Sequence, residues 1–279
     1  MNTKNLPRGQ WRILHTPPSS GAWNMAVDEA ILGAVQTGES LPTLRLYSWM
    51  PACLSLGYAQ SVSDVDEAAL RSRGWDMVRR PTGGRAILHT DELTYSVTAP
   101  DDEPRLAGGV LESYRRLSQA LLKSLDKLNV PATGEEKKSP RSAVSDANPV
   151  CFEVPSDYEI TALGKKLVGS AQARRRKTVL QHGSLPLTGD IARITEVLVY
   201  PNDAARQESA ERVQQRAITV EGALGLEVSW QEAAEAFQMG FAESLTIDFV
   251  PGELATAEKS ATEKWLAEKY ANDRWTRRV

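Results

Sequence analysis

Between residues 44 and 97 the chain is cut into apolar runs too short for helices, and this stretch limits the fold more than any other. Leu44, Leu46 and Tyr47, then Leu54 and Leu56, Met77 and Val78, Ile87 and Leu88, and Leu93 to Val97 are separated by Pro51, Gly57, Gly74 and the Gly83-Gly84 pair. Runs of this length bounded by turn formers read as strands, so a mainly antiparallel or mixed β-sheet is predicted. Helical periodicity brackets them. Val27, Ala30, Ile31, Ala34 and Val35 recur at helical spacing after Gly21-Ala22, and Val110, Tyr114, Leu117, Leu121, Leu125 and Leu128 make one apolar stripe from about Gly109 to Leu128. The fold class is α+β, with sheets flanked by helices.

Further along, Pro131 to Val150 is rich in Lys, Ser, Pro and Asn and reads as a long exposed loop, a kind of segment that often carries function. Strand character returns at Tyr158 to Ala162, Lys166 to Ala173 and Val179 to Leu187, the first two joined by a tight Gly164-Lys165 turn that puts Lys166 at the mouth of a hairpin. From Asp190 onward the pattern turns helical, with Ala233, Ala234 and Phe237 in one helix and Leu254, Ala257, Ala261 and Trp265 in a last one. With no internal repeat or composition break, residues 1–279 read as a single domain with a helical segment over about 230–279.

Composition narrows the function classes. A chain of 279 residues, 41% hydrophobic, can bury its own core without a metal or disulfide staple. Its two cysteines, Cys53 and Cys151, have no paired ligand spacing and build no disulfide framework, which suits a reducing cytoplasm. Met1 to Gln10 lacks an apolar signal core, and no stretch approaches a membrane span. A net charge of -3 argues against general nucleic-acid binding.

Chemistry-bearing residues gather in three places. In Arg79-Arg80-Pro81-Thr82-Gly83-Gly84-Arg85-Ala86-Ile87-Leu88-His89, two glycines let backbone N–H groups approach a ligand while flanking arginines can hold a carbonyl or an anion; the plain alternative is a glycine hairpin with solvated arginines. In Asn148-Pro149-Val150-Cys151, a cysteine ends a polar loop, and Lys166, fifteen residues on, is a cation able to lower its thiol pKa. Cys53 reads as an inert buried thiol. In Gly164 to Gln172, Gly169 and its small neighbours permit close approach of a ligand to Lys166, although a hairpin lysine is more often a surface charge. His182 reads as a core histidine, His89 as a pocket-lining one, and neither shows the carboxylate partner of a papain-like arrangement. A thiol and an amine near glycines are the parts of an acyltransferase that works through an acyl-thioester.

Taken in order, Asn24 to Ala30, Arg79 to His89, Cys151-Phe152-Glu153-Val154-Pro155-Ser156, Gly164 to Gln172 and Leu180-Gln181-His182-Gly183-Ser184 resemble the lipoate-protein ligase and octanoyltransferase superfamily, most closely its LipM type. The resemblance implies a fold similar to the biotin and lipoate ligase catalytic domain and an octanoyl-[acyl-carrier-protein]:protein N-octanoyltransferase in lipoate biosynthesis. The donor would be octanoyl-acyl carrier protein and the acceptor a lipoyl-domain protein such as the glycine cleavage H protein. By the same likeness Cys151 carries the acyl group, Lys166 lowers its pKa, and Arg80, Gly83, Gly84, His89 and Gly169 line the substrate pocket. Arg85 stands where adenylate-forming relatives carry a third glycine, which disfavours ATP, so no cofactor is expected. A monomer is expected, with Arg174, Arg175, Arg176, Lys177, Lys137, Lys138 and Arg141 as either a docking surface for an acidic carrier or a solvated face. An ATP-dependent lipoate ligase, an amidotransferase between lipoyl domains and a silent acyl-binding module remain as alternatives.

Overall fold

Along Glu92–Pro100, Leu93, Tyr95, Val97 and Ala99 alternate with Thr94, Ser96 and Thr98, the period of a strand with two unlike faces. A computed structural model describing residues 6–136, 150 and 158–279 shows what that strand joins. In chain order the elements are β1 (Gly9–His15), α1 (Gly21–Gln36), β2 (Thr43–Tyr47), β3 (Cys53–Leu56), α2 (Glu67–Ser72), β4 (Asp76–Arg79), β5 (Ile87–His89), β6 (Glu92–Pro100), α3 (Val110–Lys127) and β7 (Ala132–Glu136). There follow β8 (Tyr158–Ala162), β9 (Lys165–Arg175), β10 (Thr178–Pro186), α4 (Asp203–Arg216), α5 (Val220–Leu224), α6 (Trp230–Leu245), β11 (Ile247–Pro251), α7 (Thr256–Trp265) and α8 (Asp273–Thr276).

Eight strands form one mixed sheet in the order β11-β1-β2-β6-β10-β9-β8-β7. The β11-β1-β2 end is parallel and the remainder antiparallel. A second sheet of three strands runs β4-β3-β5. On one face of the large sheet, Leu117, Leu121 and Leu125 of α3 and Phe237 and Phe241 of α6 pack against Tyr95 and Val97. Each such side chain, fully buried, contributes about 1.5–3 kcal/mol of transfer free energy. The other face is covered by α1 and the small sheet. Ser20 caps α1, its hydroxyl accepting from the Trp23 N–H. That helix buries not only Met25, Val27 and Ile31 but also Asn24, Asp28 and Glu29, so its second face has polar partners rather than solvent.

Several local expectations shift. The glycine segment is not a hairpin, because β4 and β5 lie on opposite sides of β3, parallel and antiparallel to it. The β8–β9 turn is made by Leu163 and Gly164, both at positive φ as a two-residue hairpin turn of that hand requires, and Lys165 already belongs to β9. Part of the expected loop at 131–150 is strand β7, and the helical tail is interrupted by β11, which pairs with β1.

Candidate active site

The polar face of β6 is buried, and the site is built there. Register aligns Tyr47, Thr94, Ser184 and Gly169 in one row across β2, β6, β10 and β9, and Arg45, Ser96, His182 and Ala171 in the next. Thr94 and Ser96 are each 2% exposed, although a polar strand face ordinarily meets water. Between this floor and the small sheet lies a mostly apolar cavity of about 440 Å³ including its open mouth. Met25, Tyr47, Trp49 and Ile87 supply apolar wall, and Gly84, Gly169 and Gly183 keep it open.

One end of the cavity is closed by a hydrogen-bonded set centred on His89. The Glu92 carboxylate accepts from the hydroxyls of Thr94 and Ser184 and lies 2.7 Å from His89 Nδ1. Ser55 Oγ lies 2.8 Å from His89 Nε2 and accepts from Arg80 Nη1 at 3.1 Å. A carboxylate has only lone pairs to offer, so His89 Nδ1 carries a hydrogen toward Glu92. Trp49 stacks on the His89 ring at 4.0 Å and donates its Nε1–H to Thr94 Oγ1 at 2.7 Å.

A second set lies beside it on the same face, between the floor and α1. Asp28 Oδ1 pairs with Arg45 Nη1 at 2.8 Å and accepts from Ser96, while Oδ2 accepts from Tyr47 at 3.1 Å. His182 Nδ1 lies 3.8 Å from Asp28, and Nε2 is 2.6 Å from Thr82 Oγ1 in the glycine segment. Burial lowers the His182 pKa against the opposing pull of Asp28. Burial alone would raise the Asp28 carboxyl, but the Arg45 guanidinium, helped by His182, holds it below its ordinary value. Both pocket histidines thus have a carboxylate partner, contrary to expectation. For His182 the partner lies 154 positions earlier in the chain, beyond any local pattern; Glu92, three residues after His89, was the readable one.

The glycine segment is held close to the small sheet. A Cβ on Gly57 would sit 1.8 Å from the Gly84 carbonyl oxygen, so only glycine allows this backbone approach, and Tyr58 N–H donates to Thr82 O. Arg79 and Arg80 are not solvated. Arg80 donates to the carbonyls of Ser55, Gly83 and Arg85, which ties the segment into its path and leaves the wall it forms largely a backbone surface. Among the expected pocket residues, Arg80, Gly84, His89 and Gly169 line the cavity, whereas Gly83 is exposed beside it.

Lys166 is 7% exposed, which departs from a surface hairpin charge. A register shift between Ile160 and Thr161 of β8 places a bulge beside it, the kind of irregularity that re-aims a side chain. Its Nζ lies 3.6 Å from Glu159 Oε1, and its backbone bridges Ala217. Cys151 lies outside the described residues. Val150, one position earlier, is fully buried and forms a parallel bridge with Ala86. Val150, Ala86, Ile87 and Ala217 share one apolar cluster. Cys53 is buried and its thiol is pushed well up by burial, the inert state expected of it. Of the basic residues, Lys137, Lys138 and Arg141 also lie outside the described residues, and Arg174 is held by the carbonyls of Leu106 and Gly108. Among the described residues no cluster could hold a metal ion, and no helix is long and apolar enough to cross a membrane.

The sequence pattern of the lipoyl protein ligase A/B catalytic domain matches residues 20–242. The chain belongs to that family. It is 45% identical to octanoyltransferase LipM of Kyrpidia tusciae, over 96% of this chain and 98% of that protein. It is 38% identical to octanoyltransferase LipM of Staphylococcus aureus, over 95% and 97%. The lipoate protein ligase of Thermoplasma acidophilum, whose structure belongs to a study of that bipartite ligase and its E2 lipoyl domain, superposes with a TM-score of 0.81 at 25% identity, covering 97% of each chain. Lipoate-protein ligase A bound with ATP superposes at 0.77 with 26% identity, over 97% of this chain and 99% of that one. Within the family the chain therefore sides with the LipM-type octanoyltransferases, and it is an acyltransferase.

Proposed function

We propose that the chain takes octanoyl from an acyl-carrier-protein thioester onto Cys151 and passes it to a lysine of a lipoyl-domain protein, such as the glycine cleavage H protein, in lipoate biosynthesis. The observation that carries the reading is the buried amine of Lys166 on the same strand as the cavity wall. Lys166 lies three positions before Gly169, and the chain next to Cys151 is anchored at Ala86, at the base of the glycine segment. An ammonium beside the thiol favours thiolate; lowering a cysteine pKa from about 8.5 to about 7 takes roughly 2 kcal/mol. Glu159 Oε1, 3.6 Å from Nζ, orients the amine.

In the first step Cys151 Sγ attacks the thioester carbonyl carbon, the new C–S bond forms as the carrier C–S bond breaks, and the carrier thiolate takes the proton of the Lys166 ammonium, which leaves that amine neutral. Backbone N–H groups of the glycine segment stabilise the oxyanion between addition and departure. In the second step a neutral acceptor amine attacks the acyl-cysteine, the Cys151 thiolate departs, and the amine proton is taken by neutral Lys166 as general base. The row of strands that floors the cavity is longer than the cargo. Seven C–C bonds of about 1.5 Å extend to about 9 Å, and three inter-strand steps of about 4.8 Å make the Gly169-to-Tyr47 row about 14 Å wide. Acceptance of a lipoyl domain is supported by the Thermoplasma acidophilum ligase, studied with its own E2 lipoyl domain. Arg85 in place of a third glycine supports a thioester donor over ATP.

Intact mass after brief incubation with octanoyl-carrier protein and no ATP tests this. One hydroxylamine-labile octanoyl group is expected on the unaltered chain and none on Cys151→Ala; Lys166→Ala is expected to slow the adduct most at neutral pH. An adduct that persists without Cys151 removes that cysteine as the acyl carrier, and lipoate-dependent adenylate formation or transfer from an octanoylated lipoyl domain would replace the donor.

A further inference from the structure

Arg79 immediately precedes the cavity arginine but does not line the cavity. Its side chain is fully buried, no carboxylate pairs with it among the described residues, and burial lowers its pKa. The guanidinium is surrounded instead by carbonyls from two distant segments. Nη1 donates to Gly57 O at 2.7 Å and Gln60 O at 2.6 Å, and Nε donates to Thr276 O at 3.0 Å. The Arg79 carbonyl in turn accepts from Trp275 Nε1 at 2.8 Å. Two more ties join the same partners: Arg278 donates to Tyr58 O at 2.7 Å with its guanidinium 3.6 Å from the Tyr58 ring, and the Val62 N–H donates to Val279 O at 2.9 Å.

The turn at 57–62 is thus gripped from behind by Arg79 and residues 275–279, and its front is part of the site. Tyr58 N–H holds Thr82 O, and Gly57 lies directly against Gly84, which lines the cavity. A buried guanidinium without a counter-ion is costly, so a segment fastened at this many points to one turn is a specific arrangement. We infer that Arg79, Trp275 and Arg278 are positioning residues that hold the 57–62 turn and through it the glycine wall over which the acyl chain lies. The inference rests on the reading of the cavity as the octanoyl site. None of the three touches the reacting atoms, so their loss should weaken donor binding and spare the chemical step.

The test is single-turnover formation of the octanoyl adduct, followed by mass across a range of octanoyl-carrier protein. Arg79→Lys places a point charge where a planar fork bridges two segments. It is expected to raise the half-saturating donor concentration about tenfold while the maximal rate stays within about twofold; removal of residues 275–279 should do the same. Arg278→Met changes an exposed side chain and should fold; its half-saturating concentration is expected to rise about threefold at an unchanged maximal rate. Unchanged saturation in Arg278→Met overturns the inference even if Arg79→Lys does not fold, as does a fall in maximal rate without a change in saturation. Failure of the unaltered chain to form any adduct would instead remove the octanoyl reading beneath it.

Discussion

His182 shows how one buried side chain couples pH to stability. Burial sets its folded pKa below the ordinary value, so in the window between the two the unfolded chain binds a proton that the folded chain refuses. Stability then falls as pH drops below about 6.5, the unfolded value, until the folded histidine itself titrates. Asp28 acts in a separate window, because its lowered pKa contributes stability that is complete above about pH 4 and is lost only below it. The thermal midpoint is therefore expected to decline from about pH 8 to about pH 5, and His182→Gln should flatten that decline; an equally steep profile in the variant would assign it elsewhere. At this scale the motifs were readable and their partners were not. Lys166, His89 and the glycine pair stand out by their neighbours in the chain, whereas Ser55, Trp49, Asp28 and Glu159 have ordinary local contexts and gain meaning from residues brought to them by the sheets.

Among the elements, the glycine segment and the β8–β9 hairpin use glycine for different reasons, and substitution separates them. At Gly57 an alanine Cβ would meet the Gly84 carbonyl at 1.8 Å, a backbone clash that only movement of the cavity wall can relieve. Gly57→Ala is expected to lower the thermal midpoint and abolish adduct formation together. At Gly164 an added Cβ meets nothing within 4 Å, so Gly164→Ala costs only the left-handed φ of 75°, with no effect on donor saturation. That strain amounts to about 1–2 kcal/mol, readable as a urea midpoint. A loss of activity in Gly164→Ala matching that of Gly57→Ala would contradict this division. Most strands and helices were legible because each carries its own period. β11 was missed because Ile-Asp-Phe-Val-Pro follows a helix and earns its place only by pairing with β1, with Pro251 tolerated in an edge strand.

Across the whole molecule, the large sheet separates a stabilising layer from a working one. Phe237 and Phe241 are buried against Tyr95 on the α3–α6 side, while the cavity lies on the opposite face. Phe237→Ala is expected to cost about 3–5 kcal/mol in urea unfolding through the void it leaves. Donor saturation at low temperature should be unchanged, and a shifted half-saturating concentration would show that the two layers are coupled. Periodicity and turn formers were enough for the α+β class, and the order of short motifs was enough for the family, because both are properties of neighbours along the chain. The site depended on assembly. Thr94, Ser96 and Thr98 have the pattern of a wet sheet face and became a buried floor only when α1 and the small sheet covered them. Likewise, Arg79 met residues 275–279 only through the folded chain. A local pattern records which side chains share a face, but what covers that face is set by contacts between residues far apart in the sequence.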